Sequence, residues 1–145
     1  MKLKTLINII VLLFLIQIGN AQEVEMITEW KEAKELAEKE NKQILIILTG
    51  SEWCAPCKKM DKKVIENPEF KKYAEENLIV FLIDLPGGGL VINSKVYQDY
   101  EKFKNKYESI ALPSLILTEN DGTKIRTLKG KMFRLENVMK QLEFE

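Results

Sequence analysis

The feature that most constrains the fold is the stretch QILIILTGSEWCAPCKKMD at residues 43–61, where an apolar strand leads through a short turn into a Lys-rich helix. Residues 44–48 are continuously apolar, which is typical of a strand covered on both faces in a parallel sheet. Cys54 and Cys57 are the only cysteines of the chain. A Cys-x-x-Cys next to a strand–helix unit indicates a redox-active dithiol. We therefore expect the rest of the chain to form the scaffold that holds these two residues.

The position of Cys54 at the start of a helix favours its thiolate form. Backbone N–H groups at a helix N-terminus lack partners, and the positive end of the helix dipole stabilises an anion. The pKa of Cys54 is therefore expected below about 8.5, the value of a free thiol. Cys57 lies one turn later, and Pro56 fits the first turn because it has no N–H to satisfy. The spacing predicts Cys54 as the nucleophile and Cys57 as the resolving thiol.

Three other uses of the two cysteines are open alternatives. A closed zinc site takes four Cys or His ligands, and with no histidine and no third cysteine only two chains together could supply them. A copper(I) carrier is a second alternative. An inert structural disulfide is the third, although a bond that closes so short a loop stabilises little. The bulky Trp53 and the strand–turn–helix context favour redox chemistry, and no metal or other cofactor is expected.

The pentapeptide WCAPC at residues 53–57, together with Pro113 before a later strand, resembles the active site of the thioredoxin family. The resemblance runs from about Val24 to the C-terminus and is strongest to exported thioredoxin-like proteins with a Trp-x-x-Ala helix before the active-site strand. It implies a thioredoxin-like fold and a thiol–disulfide oxidoreductase. It also implies that Pro113 is a cis-proline packed beside the cysteines, and that the backbone of Leu112 pairs with an extended substrate segment.

Two positions depart from the pattern of that family. Leu48 stands six residues before the first cysteine, where classical thioredoxins carry a buried acid, and Ser114 stands where Thr commonly follows the cis-proline. Glu52 is the nearest carboxylate in sequence; it either serves the thiols through water or is an ordinary solvated side chain. Trp53 is expected to lay its ring against the exposed sulfur. These departures bear on the efficiency and direction of the reaction rather than on its class.

The N-terminal half of the chain predicts two helices around the active-site helix. Thr28 is expected to cap a helix whose apolar face is Trp30, Ala33, Leu36 and Ala37. The helix that begins at Cys54 is expected to run through Val64. Asn67 and Pro68 then indicate the cap and first turn of a second short helix.

The C-terminal half supplies further strands and helices. Residues 78–85 and 115–117 are predicted strands, and Asn-Asp-Gly at 120–122 indicates a hairpin turn into an edge strand around Ile125. Helical spacing predicts two more core helices, through Val96, Tyr100, Phe103 and Tyr107 and through Leu135, Val138, Met139 and Leu142. This alternation predicts an α/β fold, a mixed sheet of about four strands with helices on both faces. The loop at residues 86–89 is expected to border the active site, because it follows a strand parallel to the one before Cys54.

The first 21 residues have the pattern of a secretory signal peptide. Lys2 and Lys4 precede an apolar run at residues 6–18, and small residues follow before Gln22. The apolar run is about 13 residues, which as a helix is short for the roughly 30 Å of hydrocarbon in a bilayer. We expect cleavage after Ala21, a mature domain at residues 22–145 and a periplasmic or otherwise exported protein; an uncleaved anchor is the alternative.

Charge and composition limit the kinds of partner that the protein is expected to bind. The chain has 22 basic and 22 acidic residues, and removal of the leader makes it slightly acidic, so no nucleic-acid-binding face is expected. Ala55 and Pro56 add neither charge nor donor beside the thiols, which favours a reducing potential. The predicted protein is thus a monomeric reductase of protein disulfides, with a membrane electron donor and with exported proteins or apocytochromes as clients. A disulfide oxidase or isomerase and a non-catalytic binding module are the alternatives.

Overall fold

The computed structural model describes residues 23–87 and 92–143, so the predicted signal peptide lies outside the described residues. The strands within these ranges are β1 (Met26–Ile27), β2 (Gln43–Thr49), β3 (Leu78–Asp84), β4 (Ser114–Thr118) and β5 (Lys124–Thr127). The helices are α1 (Trp30–Glu40), α2 (Ala55–Met60), α3 (Pro68–Asn77), α4 (Lys95–Tyr107) and α5 (Leu135–Glu143). A π-helical turn, Asp61–Ile65, continues α2. Within the described ranges no helix has the length and apolar character needed to cross a membrane.

The strands form one mixed sheet in the order β1-β3-β2-β4-β5. The first three of these strands are parallel, whereas β4 runs antiparallel to β2 and β5 antiparallel to β4. The predicted α/β class, mixed sheet and two-sided helix cover are confirmed. The described sheet has five strands rather than about four, because Met26 and Ile27 add an edge strand beside Val80 and Phe81. Two residues are too few to carry a periodic signal in the sequence.

The sheet separates two buried clusters, because successive side chains of a strand point to opposite faces. The aromatic face lies under α1 and α4, and its cluster includes Ile44, Ile46, Leu48, Phe81, Phe103 and Tyr107. The disulfide face lies under α2, the π-helical turn, α3 and α5, and its cluster includes Leu45, Ile47, Met60, Val64, Phe70 and Val138. The helix faces predicted to be apolar are the ones that pack against the sheet.

Two predicted helix caps have opposite outcomes. Asn67 caps α3 as predicted, since its Oδ1 accepts a hydrogen bond from the Glu69 backbone N–H at 2.9 Å and Pro68 occupies the first turn. The predicted Thr28 cap is wrong. Glu29 holds the cap position of α1, and its carbonyl accepts from the Ala33 N–H at 3.0 Å, although its side chain makes no capping bond. Thr28 follows β1 directly and therefore lies one residue too early.

Aromatic rings bind α4 to the rest of its face. The Phe103 ring centroid lies 5.0 Å from that of Trp30 and 5.1 Å from that of Phe81. The Tyr107 hydroxyl donates to the Gly122 carbonyl at 2.9 Å, within the predicted hairpin turn. Gly122 has a φ of 88°, a conformation that favours glycine. The aromatic stripe of α4 is therefore core, as predicted.

Candidate functional site

Cys54 and Cys57 form a disulfide at the junction of β2 and α2, with their Cα atoms 5.2 Å apart. Cys54 is the N-cap of α2, and its Sγ accepts a hydrogen bond from the Cys57 backbone N–H at 3.3 Å. Cys54 retains 8% of its exposure, whereas Cys57 is completely buried. Pro56 lies in the first turn of α2, as predicted. A partner can therefore reach the pair only from the Cys54 side.

The turn before Cys54 is tied to the end of β3. The Ser51 backbone N–H donates to Asp84 Oδ1 at 2.8 Å, and the Ser51 hydroxyl donates to Asp84 Oδ2. Within the turn, the Cys54 N–H donates to the Gly50 carbonyl at 2.8 Å. Four residues thus join β2, the turn and β3 into one hydrogen-bonded unit. No sequence pattern points to Ser51 or Asp84, because their contact joins residues 33 positions apart.

Trp53 lies on top of Gly50 with its indole anchored. The indole N–H donates to the Leu85 carbonyl at 2.9 Å, and 51% of the residue's surface is exposed. A Cβ atom at Gly50 would lie 2.6 Å from the Trp53 ring, closer than side-chain packing allows. The described contacts of Trp53 are thus with the turn and the loop after β3. Its predicted contact with the sulfur stays a prediction.

Glu52 fastens the loop after β3 to the active-site turn. Its Oε2 accepts a hydrogen bond from the Gly87 backbone N–H at 2.8 Å. The predicted position of this loop beside the active site is confirmed at Gly87, while Gly88 and Gly89 lie outside the described residues. Glu52 is exposed, but its carboxylate binds a backbone N–H, so it is more than a solvated side chain. Its predicted action on the thiols through water is not tested.

Leu112 and Pro113 lie at the same end of the sheet as the disulfide. The Leu112–Pro113 bond is cis. Ser114, the first residue of β4, pairs with Leu48 near the end of β2, and Cys54 follows only six residues later. Leu112 is half-buried against the aromatic cluster. The register therefore places the cis-proline segment beside the strand that leads into the cysteines.

Leu48 is fully buried and apolar, but the carboxyl group of Asp61 lies close to that of Asp84 on the disulfide face. Asp61 begins the π-helical turn, and its backbone N–H donates to the Cys57 carbonyl. Burial raises the pKa of Asp61 above its ordinary range, with smaller contributions from the negative charges of Asp84 and Glu66. The four-residue spacing from Cys57 was a signal for Asp61, since residues i and i+4 share a helix face. Within the described ranges, no group of three or more His, Cys, Asp or Glu side chains is arranged to hold a metal ion.

Comparison with known proteins gives one family match and two curated relatives. The model of the thioredoxin-like domain family matches residues 30–144. The disulfide bond reductase DsbH of Chlamydia pneumoniae is 27% identical over 96 residues, which is 66% of this chain and 57% of that protein. The thioredoxin-related protein DsbJ of Chlamydia pneumoniae is 26% identical over 97 residues, which is 67% of this chain and 28% of that protein. The aligned region thus spans less than two thirds of either relative.

Solved structures confirm the fold. A DsbH oxidoreductase superposes with a TM-score of 0.67 at 23% identity, covering 89% of this chain and 93% of the other. A thioredoxin from Thermus thermophilus gives 0.64 at 13% identity, covering 83% and 85%. The oxidised C-terminal domain of Neisseria meningitidis DsbD gives 0.60 at 20% identity, covering 82% and 97%. At these identities the likeness establishes architecture alone.

Proposed function

Because this chain belongs to the thioredoxin-like family, whose model matches residues 30–144, we propose that it is a thiol–disulfide oxidoreductase acting on protein disulfides. One observation carries the proposal: the disulfide at the β2–α2 junction joins Cys54, which keeps 8% of its surface exposed, to Cys57, which keeps none. That asymmetry provides one sulfur for attack and one for resolution. The names of the two curated relatives, a disulfide bond reductase and a thioredoxin-related protein, support the same class.

The proposed reaction proceeds in two exchanges. The Cys54 thiolate attacks one sulfur of a client disulfide, forming a mixed disulfide and releasing one client thiolate. Cys57 then loses its proton and attacks the Cys54 sulfur, which restores the Cys54–Cys57 bond and releases the second client thiolate. Two electrons have passed to the client, so a donor of two electrons must reduce the protein again.

Local backbone groups favour the thiolate at Cys54. The Cys57 N–H already donates to Cys54 Sγ, and a negative sulfur accepts a stronger hydrogen bond than a neutral one. The helical dipole of α2 and its π-helical continuation acts in the same direction. The exposed Lys58 and Lys59 add a smaller, screened contribution.

The proton of Cys57 needs an acceptor other than the apolar Leu48. Asp61 is our candidate, because it lies one turn after Cys57 and its raised pKa reflects a preference for the protonated form. A carboxyl group with that preference is better suited to accept a thiol proton than a fully solvated one. Asp84 contributes by raising the proton affinity of Asp61 and by holding Ser51 in the turn.

Leu112 and Pro113 are the proposed contacts for the client backbone. The pairing of Ser114 with Leu48 supports this role, since it puts the segment at the end of the sheet from which Cys54 emerges. Trp53 supplies an exposed apolar ring on the same side of the molecule. Pro56 and Glu52 support the site by shaping the first turn of α2 and by fixing Gly87.

The reducing direction and an exported location complete the proposal. Ala55 and Pro56 leave the thiolate without a charged neighbour between the cysteines, and one relative is named a disulfide bond reductase. A reductase outside the cytoplasm needs electrons from a membrane donor. We propose a monomer that is cleaved after Ala21, works in the periplasm on protein thiols and disulfides, and does not bind nucleic acid.

Trapping tests the assignment of the two thiols. The Cys57→Ser variant should accumulate mixed disulfides with client proteins on a non-reducing gel, because the resolving attack is lost. The Cys54→Ser variant is the matched control and should accumulate none. Turnover of a disulfide substrate by either single variant at the wild-type rate would contradict the proposal.

Equilibration with glutathione tests the direction. For a reductase we expect a redox potential close to the roughly −270 mV of thioredoxin. A potential more positive than roughly −180 mV, the range of disulfide isomerases, would replace the reductase with an oxidase or isomerase. A bond that glutathione and dithiothreitol both leave intact would indicate a non-catalytic module.

A further inference from the structure

Seven cationic side chains form a patch beside the disulfide, which we call the basic flank. Its members lie on α2, on the π-helical turn and in the loop between β5 and α5, and every one of them is exposed: Lys58, Lys59, Lys62, Lys63, Lys129, Lys131 and Arg134. The exposed Glu66 directly follows the first segment of the flank, but residues 54–65 and 128–134, which carry the flank, contain a single acid, Asp61. That acid is half-buried and interacts with Asp84 and Glu66, so it does not cover the flank.

The two segments of the flank are held together by packing. Met132, in the loop, is buried in the same cluster as Met60 and Val64. Lys59 Nζ lies 5.9 Å from the centroid of the Phe133 ring. The loop itself is held by α5, because Asn137 Nδ2 donates to the Lys129 carbonyl at 2.9 Å. The seven charges therefore belong to one fixed surface rather than to two independent segments.

The cations of the flank lack ion-pair partners within the described part of the chain. Ion pairs form elsewhere, for instance between Lys31 and Glu35 and between Lys95 and Asp99. Outside residues 54–65 and 128–134, the described residues carry 13 Lys and Arg against 20 Asp and Glu. Two nearby acids, Glu69 and Glu136, line a groove between α3 and α5 instead. The protein is thus polarised, with its uncompensated positive charge next to the redox pair.

A partner that exchanges disulfides with Cys54 must bring its sulfur into bonding contact, so the residues around that sulfur come close to the start of α2, where the basic flank begins. Lys58 directly follows Cys57 in α2. Charges of one sign beside a reactive site raise the rate of encounter with partners of the opposite sign by 10-fold or more at low salt. We propose that the basic flank selects protein partners whose reactive cysteines lie among Asp and Glu residues. This inference rests on the proposed thiol–disulfide exchange and specifies its partners.

Two disulfide-linked peptides with the same core, one flanked by Glu and one by Lys, test the selection. The reduced protein should reduce the Glu-flanked peptide about tenfold faster in kcat/KM at an ionic strength of about 20 mM. The difference should vanish near 0.5 M salt, where the Debye length falls to about 4 Å. A small neutral disulfide, 2-hydroxyethyl disulfide, measures the intrinsic reactivity of Cys54.

Charge reversal assigns the preference to the flank. Lys62→Glu/Lys63→Glu should invert or abolish the preference without changing the rate with the neutral disulfide. Lys31→Glu/Lys39→Glu makes the same change in net charge on α1, across the sheet, and should leave the preference intact.

Equal rates with both peptides, or a preference that the flank variant retains, would overturn the inference while the exchange activity stands. Failure to reduce any of the three disulfides would instead refute the proposed function. Loss of binding to phosphatidylserine vesicles by the flank variant, without any peptide preference, would assign the flank to a membrane and also overturn the inference.

Discussion

The two faces of the sheet are built from the same strands but differ in composition and charge. The aromatic face is closed by Trp30, Phe81, Phe103 and Tyr107, whose rings lie at edge or tilted contacts of 5.0 to 5.9 Å. The disulfide face buries mainly aliphatic side chains and methionines, such as Met60, Val64 and Met139. The basic flank and Asp61, a carboxyl group with a raised pKa, lie beside the second cluster.

The two faces therefore have different roles: the aromatic face stabilises the fold, and the disulfide face holds the reactive groups. Large rings bury the most surface and contribute geometry-dependent contacts of about 0.5–1.5 kcal/mol per pair, so the aromatic face can anchor the sheet without reactive groups. The disulfide face must hold a helix whose first residues change covalent state. A substitution on the aromatic face should therefore change stability alone, and one on the disulfide face should also change redox behaviour.

The largest expected effect comes from Phe103→Ala on the aromatic face. Phe103 is 2% exposed and contacts three other rings, so its loss should lower the free energy of unfolding by about 3–5 kcal/mol. The oxidised and reduced forms should lose the same amount of stability, which urea unfolding of each form measures.

Met60 is fully buried beneath α2, and Met60→Ala should lower the free energy of unfolding by about 2–5 kcal/mol. The loss should differ between the oxidised and reduced forms, and the redox potential should therefore shift.

If the redox potential changed in the Phe103 variant and stayed constant in the Met60 variant, the roles assigned to the two faces would be wrong. If Phe103→Ala does not fold, Phe103→Leu preserves much of the volume and allows the same pair of unfolding measurements.

An intermediate effect is expected for Gly50→Ala in the active-site turn. The added Cβ would lie 2.6 Å from the Trp53 ring, so the ring must move and its bond to the Leu85 carbonyl must break. We expect a loss of about 1–3 kcal/mol in the free energy of unfolding and slower client turnover. The Trp53 indole N–H resonance should shift and exchange faster with solvent. Gly87→Ala is the comparison variant, because its Cβ would meet the movable end of the Glu52 side chain at 3.0 Å and the Trp53 ring only at an ordinary contact distance of 3.6 Å. An equal effect of both changes on the Trp53 resonance and on stability would contradict this explanation.

The smallest effect is expected for Asp61→Asn. The raised pKa means that folded protein binds this proton more tightly than unfolded protein does. Stability from this group is therefore greatest below its ordinary value of about 3.8 and is lost as the pH rises through the folded pKa. The Asn variant should match wild type at pH 3 and be more stable at pH 7, by less than about 1 kcal/mol because the group is partly exposed. Thermal unfolding at both pH values measures this, and a variant less stable at pH 7 would refute the cause assigned to the shift.

The features that were predicted correctly are those with a strong local signal in the sequence. The apolar run of β2, the position of Cys54 at a helix start and the Asn67-Pro68 cap each depend on neighbouring residues only, and each is found as predicted. The position of Pro113 was predicted through the family resemblance, and the cis bond agrees with it. Its role toward the client remains a proposal.

Features that depend on tertiary packing were missed. β1 exists only because β3 is there to pair with it, and Thr28 was misassigned because it directly follows that strand while Glu29 caps α1. Contact between Ser51 and Asp84 and packing of Trp53 on Gly50 arise from the fold rather than from a pattern. The basic flank likewise joins segments that are about 70 residues apart in sequence.

The central claim is that Cys54 is the reactive thiolate and Cys57 the shielded thiol. Alkylation of the reduced protein by iodoacetamide from pH 4 to 9, followed by mass spectrometry of each cysteine, tests it directly. We expect Cys54 to react first, with an apparent pKa below the value of about 8.5 for a free thiol, while Cys57 stays protected until the protein unfolds. Faster alkylation of Cys57 near neutral pH would contradict the account.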